Sequence, residues 1–225
     1  MKHLDFTIDF ETCGLTANAA PMQVAIVPWR REAENDPFVL KPLVGYVDLR
    51  TCVVDGFDFD PATLRWWSER TEAAKSAVCD GPAEPVEDVL ASIIDYLRSA
   101  EEQYQLDSIC LWAHGMDVDC AILRSLCRRF DIDLENIVPH TSFRDCRTVI
   151  LEAALTEAER GMAGKSTRAN GIALPHQVQA DPSLAYKIFS SLPSRYTEGR
   201  CQHDALYDAL RSTWYTWQAL KALRS

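Results

Sequence analysis

FTIDFETCG, residues 6–14, is the stretch whose reading decides the fold. Its apolar residues alternate as in a β-strand with a buried face, yet it carries two carboxylates, Asp9 and Glu11. Acids are depleted in strands, and a carboxylate is costly to bury without a partner. At i and i+2 both side chains project from one face, while Phe10 projects from the other. Two carboxylates so close repel each other, and burial raises the proton affinity of both. A hard divalent cation relieves both problems, because Mg²⁺ and Mn²⁺ favour carboxylate oxygens. A solvated edge strand would explain an isolated D-x-E, but this first strand is apolar and reads as central, which weakens that reading; distant parts of the chain must complete the discrimination.

Working outward, 225 residues suit one domain, expected to span 1–225, with a substantial core. A net charge of −10 argues against a broad basic surface coating duplex nucleic acid. It leaves room for an enzyme with a local basic rim, since bound cations reverse the sign of a pocket. No apolar run approaches the roughly 20 residues needed to cross a bilayer. The first residues lack a signal-peptide pattern, so the protein is expected in the cytoplasm, without a membrane partner. The eight cysteines form no C-x-x-C pair and read as reduced core thiols rather than disulfides or a zinc site.

Residues 3–10, 21–30 and 39–49 read as three β-strands, and short connections predict an antiparallel meander. Asp60 and Pro61 predict a helix start. Residues 84–104 place Val86, Leu90, Ile93, Ile94 and Leu97 at helical spacing. SICLWAHG, 108–115, reads as a strand buried on both faces, followed by a helix with Ile122, Leu123, Leu126 and Phe130 on one side. A further helix is expected from about Asp145, a loop or insertion over 156–180, a short helix after Asp181-Pro182, and a strong closing helix. The expectation is an α/β fold: a mixed central sheet, a three-stranded antiparallel meander then βα units, flanked by helices. That order resembles the RNase H-like fold.

Two distant segments carry further acids. In WAHGMDVDCAIL, Asp117 fits a helix cap. Asp119 precedes core-facing Ile122 and Leu123, near the C-terminal end of a central strand, where open α/β sheets bind ligands. In HDALYDAL, His203 precedes the last helix and Asp208 lies one turn into it. The H-x-x-x-x-D spacing recurs at His140/Asp145 and His176/Asp181, but Asp145 and Asp181 are well explained as helix caps. Asp208 lies among core-facing Leu206 and Leu210, where a carboxylate needs a partner.

TIDFET, HGMDVDCAIL and HDALYDAL, in this order and separation, resemble the DEDDh (DnaQ-like) 3′-to-5′ exonucleases. The likeness is closest to the small single-domain branch of phage DexA-like enzymes and bacterial exoribonucleases, and LRWWSE and FRDCRTV fit it too. It spans residues 6 to about 220, with 156–200 poorly matched. The resemblance implies that Asp9, Glu11, Asp119 and Asp208 hold two divalent ions, Mg²⁺ or Mn²⁺, and that His203 is the general base. It implies hydrolysis of single-stranded RNA or DNA, or of 3′ overhangs, to nucleoside 5′-monophosphates. It also raises a homodimer, to which basic RSLCRRF could contribute.

Softer expectations concern the substrate. Thr12 and Gly14 could let backbone approach the terminal nucleotide. Trp66 and Trp67 offer either a stacking surface for bases or core packing. Arg144 and Arg147 could touch phosphate or form a solvated face. GKSTR, 164–168, lacks the glycine spacing and preceding strand of a P-loop. A competing reading is a non-catalytic nucleic-acid-binding or interaction module on the same fold, against which the retention of four acids and a histidine speaks. A sugar-kinase or actin-like ATPase would need glycine where Glu11 stands, and a longer chain.

Overall fold

A computed structural model describes residues 3–166, 168, 171 and 173–225. The elements in order are β1 (His3–Thr12), β2 (Pro21–Trp29), β3 (Leu43–Val47), α1 (Leu49–Val54), α2 (Pro61–Ser68), α3 (Glu72–Cys79) and β4 (Ala83–Glu84). There follow α4 (Val86–Tyr104), β5 (Ser108–Ala113), α5 (Asp119–Arg129), β6 (Phe143–Asp145) and α6 (Cys146–Met162). The chain closes with α7 (Pro175–Ala180), α8 (Ala185–Ile188), α9 (Ser194–Thr197) and α10 (Ala205–Arg224).

The strands form one mixed sheet in the order β4-β3-β2-β1-β5-β6. The meander is as expected: β1 pairs antiparallel with β2, and β2 with β3. On its other edge β1 pairs parallel with β5. β1 is therefore interior to the sheet, and the solvated-edge explanation of its acids fails.

Alternation along β1 divides the molecule. Leu4, Phe6, Ile8 and Phe10 enter a core with Val24 and Ile26 of β2 and the apolar stripes of α4 and α5. Val86, Leu90, Ile93, Ile94 and Leu97 are all buried there, as the helical spacing requires. The opposite face meets α6 and α10 across Ala25, Val27, Trp29 and Trp112. This second core is threaded with satisfied polar groups. Thr7 accepts from Trp29 Nε1 at 3.0 Å and pairs with Thr213 of α10 at 2.8 Å. Asp5 accepts from Trp112 Nε1 at 2.7 Å and from the Arg31 guanidinium, Nε lying at 2.8 Å. The face that carries Asp9 and Glu11 is thus polar along its whole length, from Asp5 to Glu11.

Several local expectations are corrected. The third strand spans Leu43–Val47 rather than 39–49, because Pro42 has no N–H for the ladder and Asp48 accepts from Arg50 N–H to start α1. The loop expected over 156–180 is largely helical. α6 runs to Met162, tied by Arg160 to Glu157 and to the Ala222 carbonyl of α10, and α7 occupies 175–180. Thr167, Ala169, Asn170 and Ile172 of that stretch lie outside the described residues. Asp117 does not cap α5: the helix begins at Asp119, after an N-cap Val118 that makes no side-chain bond. Phe130 ends α5 as its C-cap. Asp145 and Asp181 do cap, accepting from Thr148 and Ser183 N–H respectively. All eight cysteines are free, but only five are buried; Cys79 is exposed, and Cys110 and Cys201 are partly so. Among the described residues no helix is long and apolar enough to cross a membrane.

Candidate active site

The acids of three segments converge at the C-terminal end of β1. Asp119 Oδ1, buried at the start of α5, accepts from Phe10 N–H at 3.0 Å, which seats its carboxylate beside the Asp9–Glu11 pair. The ladder between β1 and β2 shifts register between Glu11 and Thr12. Such bulges bend a strand and re-aim its side chains. α10 brings Asp208 from the other side, and ligand atoms of Glu11, His203 and Asp208 lie within 4.8 Å of one another.

His203 has a backbone φ of 67°, a left-handed conformation uncommon for a non-glycine residue. Its N–H donates to Asp208 Oδ2 at 2.8 Å, so the strained turn and the carboxylate hold each other. The imidazole meets Trp66 edge to face, ring centroids 4.8 Å apart. Burial pushes its pKa below the ordinary value, against the pull of Asp208. That favours the neutral ring a general base requires.

The carboxylates cannot all stay charged unaided. Burial, then Asp119, Glu11, Asp208 and Asp204, raises the proton affinity of Asp9 well above the usual range. Glu11 is pushed up to about 8 by burial and then by Asp208. Burial lifts Asp119 to about 7 in spite of the Phe10 hydrogen bond, and burial also raises Asp208. Four acids in mutual repulsion, offering carboxylate oxygens with one imidazole alongside, form a donor set suited to hard divalent cations. Asp9, Glu11, Asp119 and Asp208 therefore fit the metal that the sequence resemblance implies.

The remaining expected residues separate. Trp67 is core: it is buried and its Nε1–H donates to the Thr12 carbonyl at 2.9 Å. Trp66 is 37% exposed, with the Arg70 guanidinium 4.3 Å over its ring. The buried Thr12 hydroxyl donates to the Gly14 carbonyl at 2.5 Å, so it is spent on its own turn. Gly14 is packed so closely that a Cβ would lie 3.3 Å from Ala19 Cβ. Arg147 lies near enough to Asp119 to oppose its protonation and donates to the His114 carbonyl at 3.0 Å. It crosses Gly115, where φ is 97° and a Cβ would collide with the guanidinium. Arg144 is turned to the carbonyls of Thr141 and Phe143.

Sequence reasoning missed two supporting groups. Gln23, opposite Glu11 in the ladder and fully buried, accepts from Ala205 N–H at 2.8 Å and donates to Asp204 and to the Ala77 carbonyl. It clamps the first turn of α10, and hence Asp208, against β2. A glutamine in a strand otherwise reading as apolar was the available signal. The second is a cluster beside the acids. His114 Nε2 lies 3.1 Å from the Tyr186 hydroxyl, with Arg211 over the Tyr186 and Tyr215 rings. Nothing short-range in the sequence joins these residues.

The family description 3′-5′ exoribonuclease Rv2179c-like domain matches residues 4–220. No curated protein matches the chain. Among solved structures, apo exonuclease I superposes with a TM-score of 0.57 at 16% identity, over 100% of this chain and 45% of that one. The zinc-bound complex of E. coli ExoI with single-stranded DNA gives 0.54 at 14%, over 100% and 41%. The nuclease domain of 3′hExo, a DEDDh family member bound to rAMP, gives 0.56 at 12% identity, over 98% and 92%. The chain thus spans less than half the length of the exonuclease I chains, and the likeness is one of fold, RNase H-like as the sequence implied. On the match over 4–220, the chain belongs to the 3′-5′ exoribonuclease Rv2179c-like domain family.

Proposed function

We propose that the chain is a single metal-dependent exonuclease domain that removes nucleoside 5′-monophosphates from the 3′ ends of single-stranded RNA or of 3′ overhangs. The observation that carries this is the meeting of Glu11, His203 and Asp208 within 4.8 Å, with Asp119 bonded to the strand between Asp9 and Glu11. RNA is preferred to DNA on the family description.

Asp9, Glu11, Asp119 and Asp208 would hold two divalent ions, Mg²⁺ or Mn²⁺. When bound, such ions activate water and neutralise charge developing on the phosphoryl group and the leaving 3′-oxygen. His203 accepts the proton of the attacking water, and the Asp208 bond to its backbone keeps the ring turned toward the acids. Trp66, exposed beside His203, offers a face to the terminal base. Arg147 is positioned for a phosphate oxygen, and the tight turn at Thr12 and Gly14 presents backbone to the nucleotide.

A homodimer in the cytoplasm is proposed on the family resemblance and the eight free thiols. RSLCRRF contributes less to a partner than its charge suggests. Arg129 donates to the Asp55 carbonyl and to Asn18, and Arg124 lies over Phe143.

The experiment is degradation of matched RNA and DNA oligonucleotides with 3′ overhangs, in Mg²⁺, Mn²⁺ and EDTA, by wild type and Asp9→Asn. Mononucleotide release from RNA, abolished by EDTA and by the substitution in a folded protein, is the expected result. Inertness on both nucleic acids with either metal would sink the proposal in favour of a binding module.

A further inference from the structure

Between the chain entering β3 and the first two turns of α10 lies an open groove of about 510 Å³. Its size falls within the roughly 300–1,000 Å³ of ligand clefts. Leu43 and Leu206 contribute apolar wall and Tyr196 an aromatic ring. Lys41, Arg195 and Arg200 also line it, and among the described residues no carboxylate does. Acids outnumber bases 33 to 23 over the whole chain; here Arg200 is paired with Asp204 at 3.4 Å and Arg195 with Asp36, both acids lying outside the lining. Asp36 fixes Arg195 at 2.9 Å and accepts from the Tyr196 hydroxyl, so cation and ring are held as a unit.

The groove is continuous in sequence with the site. Arg200 lies three residues before His203, and Leu206 stands in the helical turn that carries Asp208. Cations interleaved with aromatic and apolar surface are the chemistry that holds a single-stranded polyanion. An acidic protein acting on nucleic acid must concentrate its few cations where the strand runs. We infer that this groove is a second nucleic-acid subsite, holding single-stranded nucleotides that lie 5′ of the one being removed. The inference rests on the exonuclease reading above.

A length series from dinucleotide to heptanucleotide RNA tests it with Lys41→Glu and Arg195→Glu; Lys41 is exposed, so its variant leaves the fold intact. KM for the heptanucleotide is expected to rise about tenfold in each variant, and the salt slope of its binding to fall by about 0.7 for each phosphate the variant no longer neutralises. Dinucleotide hydrolysis should be unchanged. Equal effects on both lengths, or none on either, would overturn the subsite, as would weakened binding of an acidic peptide alone. If wild type cleaves neither length, the exonuclease reading falls by itself. Anisotropy of a labelled heptanucleotide in EDTA then decides the groove: weakened binding by Lys41→Glu supports it, and unchanged binding refutes it.

Discussion

At the residue scale, His203 is the position where conformation and chemistry are joined most tightly. A φ of 67° is tolerated by asparagine but strains most side chains. His203→Asn therefore removes the ring while keeping the turn. We expect the variant to melt within a few degrees of wild type and its rate to fall by about 10²–10⁴-fold, the usual worth of a general base. Steady-state rates and a thermal melt check this. A rate within a factor of two of wild type would remove His203 from the mechanism. At this scale the sequence was most legible: Asp9, Glu11, Asp119, Asp208 and His203 were each singled out, and the fold brings their segments together. The tryptophan pair was not resolvable, because two adjacent aromatics on a helix present different faces. Only the packed neighbours show that Trp67 is core and Trp66 lines the surface.

At the element scale, the decisive relation is between β2 and α10. α10 packs on the sheet through small and aromatic residues, Ala209 and Ala219 among them, and through the Thr213–Thr7 bond. Gln23 fixes its first turn. Gln23→Ala leaves the Ala205 N–H buried without its acceptor, which is expected to cost about 1–3 kcal/mol in chemical denaturation. It also frees the turn bearing His203 and Asp208, so kcat should fall more than stability alone explains. Rescue by Gln23→Glu is not expected, because a further carboxylate would face Asp204 and Glu11. A Gln23→Ala protein with unaltered stability and kcat would refute the clamp. β1 and β5 could be read to within two residues, 3–10 against His3–Thr12 and 108–115 against Ser108–Ala113, but the bounds of β3 could not. Its length is set by Pro42 before it and by the Asp48 cap after it.

At the scale of the whole molecule, the cluster makes stability depend on pH and metal. In the metal-free fold Glu11 keeps its proton to about 8 and Asp119 to about 7, whereas the unfolded chain releases both near 4. Between those limits the folded state binds more protons, so stability falls as pH rises through the folded values. His114, buried and pushed down to about 4, opposes this below its ordinary 6.5. The window to read is therefore pH 6.5 to about 8. Thermal melts in EDTA should drop across it, and saturating Mg²⁺ should raise the melting temperature and flatten the slope, because the cation replaces the retained protons. A metal-free melt that is flat or rising over this window would contradict the described electrostatics.

Taken alone, the sequence determined the local terms: periodicity gave the strands and helices of the core, and the order of motifs gave the fold class and the acids. Those are properties of residues a few positions apart, where propensity and spacing act. The pairing of β1 with β2 on one side and β5 on the other, the hold of Gln23 on α10, and the gathering of Lys41, Arg195 and Arg200 along one groove were decided only by the tertiary structure. Each depends on pairs of residues far apart in the chain, as Gln23 is from Ala205. Burial, charge repulsion and hydrogen-bond satisfaction at such contacts exist only once the chain has closed on itself.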